Sequence, residues 1–169
     1  MPVSRRTVDL TGYPNLVVIY LGMRVRTLAS IRMLVGMGPQ IAKAGTEGPA
    51  GLLHFENGIL FSLFPLHVGM RWYWKDFESM ERWSRSEPHR IWWQKFLASS
   101  GGTGFWHEAY FMRGGMEAVY DDINLPAIGF QAFAPGLLAR GAMFSARSRA
   151  RIAGETPAPP TGVGEQDLQ

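Results

Sequence analysis

Between Leu66 and His107 the chain places all six of its tryptophans and three of its four histidines. A buried indole wants a partner for its N–H, and a core built for stability alone favours Leu, Ile and Val. So many polar rings in one stretch point to a flat-walled pocket for a sizeable, partly unsaturated ligand. The alternative is an aromatic core or a dimer interface. His107, Glu108 and Tyr110 follow one another closely there. A glutamate buried among rings has its pKa raised and can take a proton from an activated C–H or O–H, as an imidazole can near neutral pH. The alternative readings are a Glu108 paired with Arg71 on a neighbouring strand and a His107 that is a core histidine bonded to backbone. His89 precedes Trp92 and Trp93 by three and four residues, so on a helix they share its face. In a first helical turn the dipole disfavours imidazolium. A neutral His89 could then act as a general base or as a ligand to haem iron.

Several chemistries lack their residues. With no cysteine there are no disulfides, thiolate zinc sites or cysteine nucleophiles, and a reducing cytoplasmic setting is expected. The four histidines show no HxH or HxxxH spacing, so no metal site is predicted. No GxGxxG, P-loop or GxSxG pattern stands between a strand and a helix. The net charge of +3 owes much to Arg140, Arg147, Arg149 and Arg151, without a basic stripe elsewhere, so nucleic acid is not an expected partner. No apolar run is long enough to span a bilayer, and no signal peptide is visible.

The elements that must position these residues follow from periodicity and punctuation. Leu16–Val25 reads as a strand, and Thr27 as the cap of a helix to about Ala44, broken or kinked at Gly36-Met37-Gly38-Pro39. Gly51–Phe64 reads as a hairpin turning at Asn57-Gly58. Val68–Trp74 is a strand, Asp76 caps a helix to about Ser84, and Ser86 caps another to about Ser99. Strands are expected at Gly104–Met112 and Met116–Asp121, then an irregular apolar stretch from Asn124 to Phe144. Alternation along Gly104–Met112 sends His107 to one face and Glu108 with Tyr110 to the other, unless a bulge intervenes. The order predicts an α+β, ferredoxin-like (split βαβ) antiparallel sheet with two helices on one face. Its domain runs over 8–144, and 145–169 form a basic, then Pro/Gly-rich disordered tail.

The stretch Arg71-Trp72-Tyr73-Trp74-Lys75-Asp76-Phe77-Glu78, then Ser86-Glu87-Pro88-His89-Arg90 and Trp93, resembles the dimeric α+β barrel superfamily and its antibiotic-biosynthesis-monooxygenase members. Gly104-Phe105-Trp106-His107-Glu108-Ala109-Tyr110, with Tyr13-Pro14-Asn15-Leu16-Val17-Val18 and Gly36-Met37-Gly38-Pro39, is similar to a bacterial and fungal branch linked to terpenoid-pathway monooxygenases. The resemblance implies a homodimer paired sheet to sheet, with a pocket in each subunit between sheet and helices. It also implies varied chemistry, since members oxygenate phenolic or polyketide substrates without metal or flavin, bind or degrade haem, or dehydrate aldoximes.

The expected function is therefore a monooxygenase-like enzyme acting on a hydrophobic or aromatic specialised metabolite by base-assisted oxygenation. His107 or Glu108 would be the base, and Arg71 and Tyr110 the oxyanion donors. Trp72, Trp74, His89, Trp92 and Trp93 would wall the pocket. No cofactor is expected in that scheme. The alternatives are a haem enzyme of the same fold, with His89 or His107 as axial ligand, and a non-catalytic carrier of a hydrophobic ligand.

Overall fold

A computed structural model describes residues 4–113, 116–123 and 126–154. In chain order the elements are β1 (Arg5–Val8), β2 (Val17–Arg24), α1 (Leu28–Thr46), β3 (Leu52–Ser62), β4 (His67–Trp74), α2 (Phe77–Ser84), α3 (His89–Ala98), β5 (Gly104–Phe111), β6 (Tyr120–Asp121), β7 (Gly136–Leu138) and α4 (Ala146–Ala153). They form two compact units. One is Asn15–Phe111; the other comprises the described residues of Met1–Pro14 and Met112–Gln169.

Asn15–Phe111 holds a four-stranded sheet in the order β3-β4-β2-β5, with every neighbouring pair antiparallel. Two strand–helix–strand units interleave so that β4 lies between β2 and β3, and this is the ferredoxin-like, split βαβ arrangement read from the sequence. Alternation divides the side chains cleanly. Val17, Met23, Met70, Trp72 and Trp74 join Met37, Ile41 and Ala44 of α1 and Trp92 of α3 in one core cluster. Trp72 and Trp74 are almost fully buried, and truncating either to Ala would cost about 3–5 kcal/mol.

The caps explain where the helices begin. Thr27 accepts the Ser30 amide while Ser30 Oγ accepts the Thr27 amide, a reciprocal cap for α1. Asp76 Oδ1 accepts the Ser79 amide at 2.7 Å to open α2. Ser86 does not cap α3; its hydroxyl donates to the Trp83 carbonyl at the end of α2, and α3 starts at His89 behind Pro88 without a side-chain cap.

Other elements differ from the sequence reading. α1 runs unbroken through Pro39, and the Gln40 side-chain amide donates to the Gly36 carbonyl at 2.8 Å. Asn57-Gly58 is a bulge inside the single strand β3, not a hairpin turn: Asn57 pairs with Met70 and Ile59 with Gly69, leaving Gly58 extra at φ +74°. The turn falls instead at residues 63–66, between β3 and β4. The strand expected at Met116–Asp121 is confined to Tyr120–Asp121, and it pairs with β1, which also pairs with β7 in a separate three-stranded sheet. Residues 146–153, expected within a disordered tail, form α4. Its buried Arg149 holds Glu117 at 2.7 Å and the carbonyls of Met143 and Phe144. The remainder of that tail, 155–169, lies outside the described residues.

Candidate active site

The helix-covered face of the four-stranded sheet encloses a cavity of about 410 Å³. Its floor is Ile19 and Leu21 of β2, Trp72 and Trp74 of β4, and Phe105, His107 and Ala109 of β5; α1, α2 and α3 form the roof. Five of the six tryptophans line it. Trp72 and Trp74, two apart on β4, stack nearly parallel at 6.1 Å. Trp83 of α2 covers them at 4.9 and 5.6 Å, and His89 lies 5.0 Å from Trp83. Toward the β5 edge, Trp93, Phe96 and Phe105 form a second ring cluster with centroids 5.6–5.8 Å apart. His107 stands 6.3 Å beyond Phe105. His107 and Ala109 are exposed, so the cavity opens to solvent along β5.

Polar groups in this cavity are few. Trp92 Nε1–H donates to Gln40 Oε1 at 3.2 Å. The indole N–H of Trp72 is buried without an acceptor among the described residues. Glu81 lines the cavity, but its carboxylate is held by Arg85 at 2.6 Å. His89 Nδ1 lies 2.7 Å from the Ser84 carbonyl oxygen. A carbonyl only accepts, so Nδ1 carries the proton and Nε2 keeps its lone pair. Burial, with a smaller contribution from His107, holds the His89 pKa below the ordinary imidazole value despite the Ser84 hydrogen bond.

Of the residues singled out from the sequence, His107, His89, Trp72, Trp74, Trp92 and Trp93 come together around this cavity. Arg71, Glu108 and Tyr110 do not. They project from the sheet's other face, because each is one position out of phase with the lining residues of its strand. There Arg71 Nε and Nη2 bind Glu56 at 2.5 Å, and Arg71 Nη1 donates to the Tyr20 hydroxyl at 2.6 Å. The carboxylate partner of Arg71 is thus Glu56, not Glu108. Tyr110 donates its hydroxyl to Glu108, which raises the phenol pKa. Trp83 joins the cavity lining without having been singled out from the sequence, although Phe77, Met80 and Trp83 form a helical stripe on α2 that marks it. The Ser84 carbonyl, a backbone group, left no sequence signal.

Among the described residues, no cluster of acidic residues or histidines has the geometry to hold a metal ion. No described helix is long and apolar enough to cross a membrane.

Comparison with solved structures finds the same fold in aldoxime dehydratases. One, crystallised in complex with butyraldoxime, is 25% identical with a TM-score of 0.68, over 90% of this chain and 44% of the other. A second aldoxime dehydratase is 21% identical with a TM-score of 0.66, over 88% and 44%. The chain thus spans less than half the length of these enzymes. A cofactor-independent oxygenase from Streptomyces nogalater matches more distantly, at 11% identity and a TM-score of 0.45, over 67% of this chain and 99% of that one. No curated protein matches the chain. The family model described as monooxygenase af470-like matches residues 16–130, more than half of the sequence, and the chain belongs to that family.

Proposed function

We propose that the chain is a monooxygenase-like enzyme that binds a hydrophobic, partly aromatic small molecule in the helix-covered cavity and removes a proton from it with His107. The observation that carries this reading is the convergence of His107 and His89 on one ring-walled cavity whose lining carboxylate is already paired with Arg85. Imidazole is the side chain suited to taking and returning a proton near neutral pH. The proton leaves an electron-rich C–H or O–H for Nδ1 or Nε2 of His107. The resulting carbanion or phenolate gives two electrons to dioxygen and forms a carbon hydroperoxide. Loss of a second proton from that same carbon then breaks the O–O bond, so that the carbon becomes a carbonyl, the other oxygen leaves as water and the substrate supplies all four electrons. The indoles exclude water and orient the flat substrate. Dioxygen uptake with electron-rich phenolic substrates tests this: His107→Ala should abolish uptake while retaining binding. Undiminished uptake removes the assignment, and binding by the wild type with no turnover favours a carrier.

A second reading is favoured by one contact. The Nδ1–H of His89, fixed on the Ser84 carbonyl, leaves a neutral imidazole with its Nε2 lone pair, the condition required of a haem ligand. Flat indole walls suit a porphyrin, so the residues fit the group. The likeness to the aldoxime dehydratase crystallised with butyraldoxime would fit the dehydration of an aldoxime in the same cavity. Haem would supply an iron centre able to bind a nitrogen or oxygen of the substrate. His89 would hold it, and His107 would move protons at the substrate. A Soret band in haem-supplemented protein, lost in His89→Ala, is the expected result; no band at all removes this reading. The homodimer implied by the resemblance belongs to the same proposal, and native mass spectrometry measures it.

A further inference from the structure

Neighbouring strands of the four-stranded sheet are antiparallel and each helical connection returns across it, so β2, β3 and α3 finish at the end where α1, β4 and β5 begin. Three connections meet there: residues 25–27, 63–66 and 99–103. Hydrogen bonds hold them against one another. The Val25 amide donates to the Leu66 carbonyl at 2.8 Å, and the Thr27 hydroxyl to the Gly101 carbonyl at 3.0 Å. Residues 63–66 stand beyond the last ladder pair, Ser62 with His67.

This end is apolar at its tips. Phe64 is 94% exposed, Leu28 86%, Leu97 68% and Leu63 65%. Large apolar side chains exposed together on adjoining connections mark an interaction surface. The same end is basic. Arg26 in the first connection and Arg32 in α1 are exposed, and neither makes an ion pair among the described residues. Residues 16–46, 57–75 and 88–107 contain no Asp or Glu. Glu56 and Glu108, the next acids along β3 and β5, lie at least about 13 Å into the sheet, beyond a Debye length of about 8 Å in physiological salt. His67 adds no charge here. It is buried and accepts the Trp106 Nε1–H on its Nε2 at 2.7 Å, and burial with the nearby Arg24 lowers its pKa. The connections at the opposite end, by contrast, carry Glu47 and Asp76.

We infer that this end rests on an anionic lipid bilayer. Leu28, Leu63, Phe64 and Leu97 enter the boundary between head groups and acyl chains, and Arg26 and Arg32 meet the lipid phosphates and carboxylates. Such a surface lies on a membrane without crossing it. A second copy of the chain is a poorer occupant, because two-fold pairing here would set arginines together with no acid between them. Nucleic acid would satisfy the arginines and leave the apolar tips in water. A homodimer paired through the sheet faces leaves the surface open: Leu28 and Leu97 belong to the helical layer, and Leu63 and Phe64 stand past the strand ends. The attachment does not depend on the reaction assigned to the helix-covered cavity.

Sedimentation of the full chain with lipid vesicles tests this. The protein should sediment with vesicles of equimolar phosphatidylcholine and phosphatidylserine, and not with phosphatidylcholine alone. Leu63→Ser with Phe64→Ser, and separately Arg26→Gln with Arg32→Gln, should each weaken binding at least about tenfold. All four side chains are exposed, so thermal unfolding should be unaltered in both variants. The chain has no cysteine, so Phe64→Cys takes a single nitrobenzoxadiazole label. Its emission should shift to the blue on the mixed vesicles, whereas the same label on Glu47→Cys should not respond. No sedimentation with the mixed vesicles, equal sedimentation with phosphatidylcholine alone, or unchanged binding in either double variant overturns the proposal. So does a dimer in free solution that Leu63→Ser with Phe64→Ser dissociates, since the surface would then belong to a second copy. Should the Ser variant unfold, the Gln variant and the two labels decide.

Discussion

His89 on α3 and His107 on β5 face one cavity from opposite walls, near enough that a charge on His107 disfavours a charge on His89. Burial is the larger cause, and burial likewise lowers the pKa values of His54 and His67. A histidine whose pKa is lower when folded binds protons more readily when unfolded. Its contribution to stability is complete above the unfolded value of about 6.5 and is lost as pH falls below it. Resistance to denaturant should therefore decline between pH 7.5 and 5.5, each histidine supplying at most about 1.4 kcal/mol per pH unit. A midpoint that is flat or rising on acidification contradicts this.

The glycines under the Trp106–His67 pair should tolerate alanine unequally. At Gly22 the obstructing atoms belong to side chains, whereas at Gly69 a Cβ would also lie 2.4 Å from the Leu21 carbonyl oxygen. Backbone cannot swing aside as a ring can. Gly22→Ala should cost about 1–3 kcal/mol and Gly69→Ala more, by denaturant unfolding. The reverse order would show that the rings are held more firmly than the strands.

Arg71 and Glu108 should be separable from the chemistry of the helix-covered cavity. Arg71→Met removes a half-buried guanidinium from Glu56 and Tyr20, at a cost of about 1–3 kcal/mol in stability. Glu108→Gln leaves the cavity lining unaltered. Ligand affinity in that cavity should be unchanged in both variants. A selective loss of turnover in either would place these residues back among the catalytic groups.

The core of the fold was legible because β2, β4 and β5 are runs rich in β-branched and aromatic residues bounded by turn signals, and both α1 and α2 open on residues that cap them. Alternation along β5 already separated His107 from Glu108 and Tyr110. Applied to Arg71 beside Trp72 and Trp74, it would have set the arginine apart too. Asn57-Gly58 misled because a dipeptide suited to positive φ serves a bulge as well as a hairpin turn, and local sequence does not distinguish them. β1 and β7 are three or four residues long and owe their strand conformation to partners more than a hundred residues away, which no local window contains. The His89–Ser84 contact was hidden because its acceptor is a backbone carbonyl that any residue could supply.

The central claim, that the ring-walled cavity is where a ligand sits, is most directly tested by its own indoles. Five of the six tryptophans line it, so their emission reports occupancy. 4-Nitrobenzyl alcohol, a neutral aromatic quencher, should quench wild-type emission saturably at one molecule per chain. Ala109→Phe, which fills the cavity from its β5 wall, should abolish saturation, while Arg24→Gln with Arg26→Gln should preserve it. Purely collisional quenching in the wild type, or equal affinity in Ala109→Phe, would contradict the claim.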